Sequence, residues 1–374
     1  MTLPYDFVPF QPVQKGVRLA PTPLNSINPD LHTGSFRCQL LAFSPLFIGG
    51  TEEVNRYKMF FHYPGSPPVI PAATLKGCIR SVAEALSNGC VSVFAGKYKN
   101  LHEEVVLPDD VRPCDDVHRL CPTCRLFGMC APESESKSKV ENKEKLSYRG
   151  KVSFTDASLI NRPQTINLRL DQLYSPRPHE DVYFVKKRIN GRNKQIAIGR
   201  KFYYHRDSLE TLTNNNGKIA IAALAPGARF EFEVSFSNLS NSEIALLVLA
   251  LELHSLLPLN SDRTTKFDPR SISSKNGIFH KIGYGKPVGL GTAAIYITQF
   301  KKFNPSLRYG HDKSSDADVM GVKEMHEWIK KQKSNYLYPE GKRGELPLNI
   351  AKLFEILRLP NGLGDIRYPV FSRR

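Results

Sequence analysis

The stretch PGARFEFEVSFSNLSNSEIALLVLALELH, Pro226 to His254, decides the fold. Phe230, Phe232, Val234 and Phe236 recur at every second position, which is the spacing of one face of a strand over Ala228–Ser237. Asn238, Ser240 and Asn241 then offer side-chain caps for a helix over Ser242–His254. The apolar run from Ile244 to Leu253 is broken by Glu252 and falls well short of the ~20 residues of a membrane span.

The flanking sequence supplies four more elements. Phe36–Phe43 reads as a strand with Phe36, Cys38, Leu40 and Ala42 on one side. Thr74–Asn88 reads as a helix with Leu75, Ile79, Val82 and Leu86 on one face and Gly89 as its stop. Lys151–Thr155 and Thr292–Thr298 read as strands. The order strand, helix, strand, strand, helix, strand predicts an α+β chain with a ferredoxin-like (RRM-like) palm, a common platform for RNA. Two long insertions interrupt it, at 89–150 and 162–216, and two more helices are expected at Val322–Lys333 and Leu348–Leu357. The expected organisation is an arm over 1–35, the palm over 36–300 and a helical extension over 301–374. Within the first insertion, PESESKSKVENKEK is highly charged and free of aromatics, and is expected to be mobile.

Cysteines mark the same insertion. Cys114, Cys121, Cys124 and Cys130 lie in the run CDDVHRLCPTCRLFGMC. Cys121 and Cys124 form a CxxC knuckle, and the outer pair can complete a closed tetrahedron of the kind that holds structural zinc. Free thiols or two disulfides are the alternatives, and His118 could replace an outer cysteine. Cys38, Cys78 and Cys90 are left over. This usage, with no apolar leader in MTLPYDFVPFQP, points to a reducing cytoplasm.

Charge narrows the partner. The chain has 374 residues, 52 Lys+Arg against 36 Asp+Glu, a formal net charge of +16 and a pI near 9.5. Such an excess suits a polyanion, whose phosphates release counterions when neutralised. Three places concentrate the basic chemistry. In KIGYGKPVGLGTAAI, Gly283, Gly285, Gly289 and Gly291 frame Lys286, either as a phosphate-cradling loop or as a tight turn before a strand. In IPAATLKGCIRS, Thr74 and Lys76 lie at the start of a helix with Arg80 one turn on; free amides there suit a phosphate, and an ordinary capped helix with exposed basic residues is the alternative. From Lys186 to Arg206 there are eight Lys/Arg and no acid, with Asn190-Gly191 as a hairpin turn. Lys186, Lys187, Arg188, Arg192, Lys194, Arg200 and Lys201 are its RNA-binding candidates, interleaved with Phe202, Tyr203 and Tyr204. A solvated charged hairpin is the competing reading.

Taken in order, several pieces resemble the RAMP superfamily, the backbone subunits of type III CRISPR effector complexes. They are SPLFIGG, IPAATLKGCIRS, CPTCRLFG, GKVSFTDAS, YSPRP (Tyr174–Pro178), GRKFYYH, PGARFEFEVSF and GKPVGLG. YSPRP and GRKFYYH are most similar to the III-D and III-E branch, whose backbone domains also carry zinc knuckles. The resemblance implies a palm, an extended thumb and a groove for CRISPR RNA, with target RNA and other type III effector subunits as partners and no membrane. Lys76, Arg80 and Lys286 would grip guide phosphates. Cleaving relatives carry an Asp between the first strand and the IPxxxLKG helix, used with a divalent metal. Here GGTEEVNRYKMFFHYPGSPPV has no Asp, and Glu52 and Glu53 are its only acids. The expectation is a subunit that holds RNA without cutting it. The alternatives are a Mg-dependent endoribonuclease acting on target RNA through Glu52 or Glu53, and a repeat-processing RNase using a histidine such as His62. A zinc-dependent DNA-binding protein is disfavoured, because RLFGMCAPES makes a poor recognition helix.

Overall fold

The computed structural model describes residues 3–12, 17–92, 94, 105–130, 147–173, 180–189, 191–206, 217–254, 277–303, 319–339 and 344–359. The low-complexity run after Cys130 and the YSPRP segment lie outside them.

The alternating phenylalanines form β16 (Arg229–Leu239), at the middle of a seven-stranded sheet. On one side β16 pairs antiparallel with β2 (His32–Ala42), which pairs antiparallel with β19 (Thr292–Lys302) and then β18 (His280–Lys281). On the other side it pairs with β9 (Val152–Phe154) and β10 (Ala157–Leu159), and β10 carries β5 (Val69–Ile70). The four expected strands thus stand in the order fourth, first, third, second. Their bounds differ from the expected ones: β2 begins at His32, β19 runs on to Lys302, β16 shifts to Arg229–Leu239, and β9 is shorter than Lys151–Thr155 by one residue at each end.

Phe230, Phe232, Val234 and Phe236 are each at most 3% exposed. Side chains of this size contribute about 1.5–3 kcal/mol each when fully buried. They share the core with α1 (Ala72–Leu86) and α4 (Asn241–Leu251), which pack on each other. Ser240 and Glu243 form a reciprocal capping box at the start of α4. The left-handed residue after α1 is Asn88, with φ 46°, rather than the expected Gly89. Glu252 is buried at the end of α4, accepts from the Ile297 amide at 3.1 Å and pairs with Lys333 at 3.3 Å.

A second sheet was not anticipated. β3 (Gly49–Val54), β4 (Tyr57–Phe60), β15 (Ile219–Leu224) and β11 (Thr165–Leu170) run in the order β11-β15-β4-β3. The basic stretch forms the hairpin of β12 (Phe184–Ile189) and β13 (Arg192–Ala197), preceded by the short α3 (Glu180–Tyr183). Gly191 takes a φ of 77° in its turn, as an Asn-Gly hairpin requires. β13 also pairs in parallel with β6 (Val105–Val106). β14 (Gly199–Tyr203) follows and pairs with the N-terminal β1 (Tyr5–Pro9).

Both C-terminal helices form, α5 (Val322–Leu337) and α6 (Leu348–Ile356). Trp328 of α5 packs on Phe36 and Phe300. α6 closes on the arm through Lys352 and Asp6 at 2.8 Å.

Candidate metal centre and nucleic-acid interface

α1 ends at Leu86, and the chain turns through Asn88 and Gly89 to deliver Cys90 inward. Cys121 caps α2 (Pro122–Phe127) with its sulfur accepting from the Cys124 amide at 3.4 Å. Cys114 and Cys90 complete a buried group whose four sulfurs all lie within 4.8 Å of one another. A tetrahedral ion with bonds of about 2.3 Å needs sulfurs about 3.8 Å apart, and the Cys90 and Cys124 sulfurs stand at 3.4 Å. The Cys90 amide donates to Cys121 at 3.4 Å and the Cys121 amide to Cys114 at 3.3 Å, bonds that favour thiolates. Hydrogen bonds from Cys114, Cys124 and Cys90 hold the Cys121 thiol well below the usual range. The residues fit a closed four-thiolate metal site.

One of its corners differs from the sequence expectation. Cys130 sits on the short β7 (Met129–Cys130), paired with β8 (Ser147–Tyr148), and is exposed. Cys90, 24 residues before Cys114, takes its place. Gly128, with φ 90°, turns the chain so closely against Gly150 that Cys130 is directed away from the group. The exposed His118 is not a member either. The cysteine-bearing segment is locked to α4 by a buried ionic triad. Arg125 of α2 pairs with Glu243 at 2.8 Å, and Lys151 reaches the other oxygen at 2.9 Å.

Arg80 and Arg200, both expected on RNA, turn inward. Arg80 pairs with Glu84 at 2.9 Å, donates to the Gly128 carbonyl and reaches the Cys124 sulfur at 3.7 Å. Arg200 is buried and donates to the Gly89 carbonyl and to Asn88. Both guanidiniums therefore serve the cysteine group. Lys201 is likewise enclosed, 3.6 Å from the Tyr5 ring centre and 2.8 Å from the Tyr183 hydroxyl, and burial pulls its pKa down to about 8. Phe202 and Tyr204 join the core instead of presenting stacking faces.

The hairpin keeps its charge outside. Lys186, Lys187, Arg188 and Lys194 are all exposed. Register places Lys187 directly opposite Lys194 and Ile189 opposite Arg192. Like charges directly across a ladder repel, so the pair gains from an anion between them.

The glycine loop is a tight turn first. A side chain at Gly291, φ 78°, would collide with the Ile282 carbonyl, and one at Gly283, φ 84°, with that of Phe47. Gly285 and Gly289 flank a 3-10 turn over Lys286–Val288. The amides of Tyr284, Val288, Gly289, Leu290 and Gly291 all bond within the protein, so they do not cradle a phosphate. What the loop presents is the half-buried ammonium of Lys286. Beneath it, buried Lys281 donates to Gly289 at 3.1 Å and Thr292 at 3.3 Å; burial, then the charges of Arg206 and Lys286, lower its pKa to about 7.

α1 lies against this loop, since the Cys78 thiol reaches the Lys281 carbonyl at 3.7 Å. Lys76 is half-buried, its pKa lowered by burial and by Arg80. Thr74 is half-buried in the first turn of the helix. Asp156 closes that end, accepting from the Ala72 amide at 2.7 Å and from the Tyr63 hydroxyl at 2.7 Å.

Glu52 is paired with His62 at 2.5 Å, and the other ring nitrogen of His62 meets the Tyr63 carbonyl at 3.0 Å. The Tyr63 carbonyl and then Glu52 raise the His62 pKa. An imidazole with both nitrogens engaged has none turned to a substrate. Glu53 stands opposite Lys58 in the hairpin of β3 and β4. The open face of the main sheet shows Arg37, Glu233 and Ser235, with Gln39 donating to Glu231 at 3.3 Å. These carboxylates, and the burial of Tyr296 beside Gln39, make it a poor platform for bases.

None of the described helices is long and apolar enough to cross a membrane. The sequence matches the model of the RAMP superfamily over residues 39–293. The chain belongs to that superfamily. Among solved structures it is similar to Csc2 of Thermofilum pendens, with 15% identity over 84% of this chain and 81% of that one and a TM-score of 0.32. No curated protein matches.

Proposed function

We propose that this chain is a guide-RNA-binding backbone subunit of a type III CRISPR effector complex, of the III-D/III-E-like branch. The carrying observation is the exposed hairpin with Lys187 facing Lys194, flanked by Lys186 and Arg188. Membership of the RAMP superfamily and the strand order fourth, first, third, second support a ferredoxin-like palm beneath it. The hairpin is the thumb, and Thr74, Lys76 and Lys286 lie on the palm side of the RNA path. Recognition is of the backbone, so base pairing between CRISPR RNA and target RNA supplies the sequence specificity. Other effector subunits would extend the groove, and reduced thiols suit action in the cytoplasm.

The four-cysteine group holds structural zinc. Its ligand set is closed, so the ion supplies folding energy to the knuckle rather than a site for water.

The subunit holds target RNA without cutting it. Glu52 is committed to His62, and no third metal-ligating group joins them among the described residues. The test is co-expression with a CRISPR array, followed by analysis of the bound RNA. Guides of every spacer sequence should be recovered in similar yield. Recovery of no CRISPR RNA, or of one spacer only, contradicts the proposal. In the assembled complex, Glu52→Ala and Glu53→Ala should leave the target cleavage pattern unchanged. Loss of a single product band with guide binding intact would show that this subunit cuts.

A further inference from the structure

The cysteine group brackets the ground on which the basic hairpin stands. Cys90 and Cys114 are two of its four members. Between them lies β6, which pairs Val105 with Gln195 and Val106 with Ile196 of β13. Val105, Leu107 and Val111 form a small apolar cluster with Phe184 and Ala197. Phe184 and Ala197 are cross-strand partners at the open end of the hairpin, so this cluster is its base. It is separate from the main core. The Val91 amide bonds the Val111 carbonyl at 2.9 Å and draws the two ends of the segment together beside the cysteines. On leaving the hairpin the chain enters β14, where Arg200 is tied to Asn88 and Gly89, the residues just before Cys90.

We propose that the metal state of the four-cysteine group sets the rigidity of the RNA-gripping hairpin, through residues 105–111, which run up to Cys114. This rests on the reading of that group as a metal site. A cluster of five buried apolar side chains apart from the main core has little stability to spare for ordering its own chain. An ion shared by Cys90 and Cys114 fixes the place where Val91 meets Val111 and removes that ordering from the cost of supporting the hairpin. Arg200 carries the same constraint to the outgoing strand. The palm is insulated, because α2 stays docked through Arg125, Glu243 and Lys151 whether or not the thiolates are bridged. Release of the ion therefore weakens RNA gripping without altering any residue that faces RNA.

The experiment is hydrogen exchange by mass spectrometry on the full chain: as purified, stripped by a chelator, and resupplied with zinc. Peptides covering 184–197 should exchange about tenfold faster after stripping and recover with zinc, while those covering 36–42 and 229–239 stay unchanged. Cys90→Ser and Cys114→Ser should reproduce the stripped pattern, and Cys130→Ser should match the wild type. If these variants do not fold, the reversible stripping of the native chain still decides the matter. Metal that is present and removable with no change at 184–197 overturns the inference alone. Equal acceleration of hairpin and palm overturns it too, by making the ion a support of the whole fold. Protein that carries no metal and takes up no zinc overturns the metal reading itself.

Discussion

Glu243→Gln removes one negative charge from the centre of the molecule and almost nothing else. The Glu243 side chain is 4% exposed, that of Arg125 8% and that of Lys151 2%. Glutamine keeps the shape and still serves the capping box, whose third position accepts Glu or Gln. The substitution leaves two buried cations without their shared anion, a change that costs about 3–5 kcal/mol. The chain has a single tryptophan, Trp328, packed 4.8 Å from Phe300 of the main sheet, so its fluorescence reports unfolding there during denaturant titration. The pH dependence gives a second readout. Burial raises the Glu243 pKa, but Arg125 and Lys151 outweigh it and hold the group below its ordinary 4.5. The stability from this depression is complete above the unfolded value and is lost as pH falls through the folded one. The wild type should lose this contribution on acidification below 4.5, and the acid limb should be shallower in Glu243→Gln. A loss below about 1 kcal/mol at neutral pH, the range of an exposed pair, would refute the reasoning.

Other substitutions have opposite expected signs. Gly291→Ala meets the Ile282 carbonyl at a positive φ and should destabilise by at least about 2 kcal/mol in the same titration. Gly77→Ala, on the exposed face of α1 with nothing within 4 Å of a new methyl group, should stabilise by about 0.5–1 kcal/mol. If RNA runs along that face, the same variant should bind guide RNA more weakly by filter binding, since the added methyl keeps the backbone away from the helix. Metal analysis should find about one zinc per chain, lost in Cys90→Ser and kept in Cys130→Ser.

The main sheet was legible because its signals are local. Alternation in β16 and a cap at Ser240, one of three candidates, are written in consecutive residues and both formed; the partner role of Glu243 in that cap emerges only in the structure. The fourth cysteine was not legible. Cys90 belongs to the group through the path of α1 across the fold, whereas Cys130 was favoured only by its nearness in sequence. The second sheet escaped for a related reason. β4 pairs in parallel with β15 through Lys58 and Ile221, a contact between segments more than 150 residues apart. Charge composition located the basic hairpin but not the direction of each side chain. Arg200 and Lys201 continue the same run as Lys194, yet β14 carries them under the arm instead of into solvent.

The central claim is that the hairpin grips RNA phosphates, and the salt dependence of guide binding tests it most directly. Single-stranded RNA releases about 0.7 counterion per neutralised phosphate. Replacing Lys186, Lys187 and Arg188 with Ala should therefore weaken every guide sequence alike and flatten the slope of log affinity against log salt by about 2. An unchanged slope with an altered sequence preference would contradict the account.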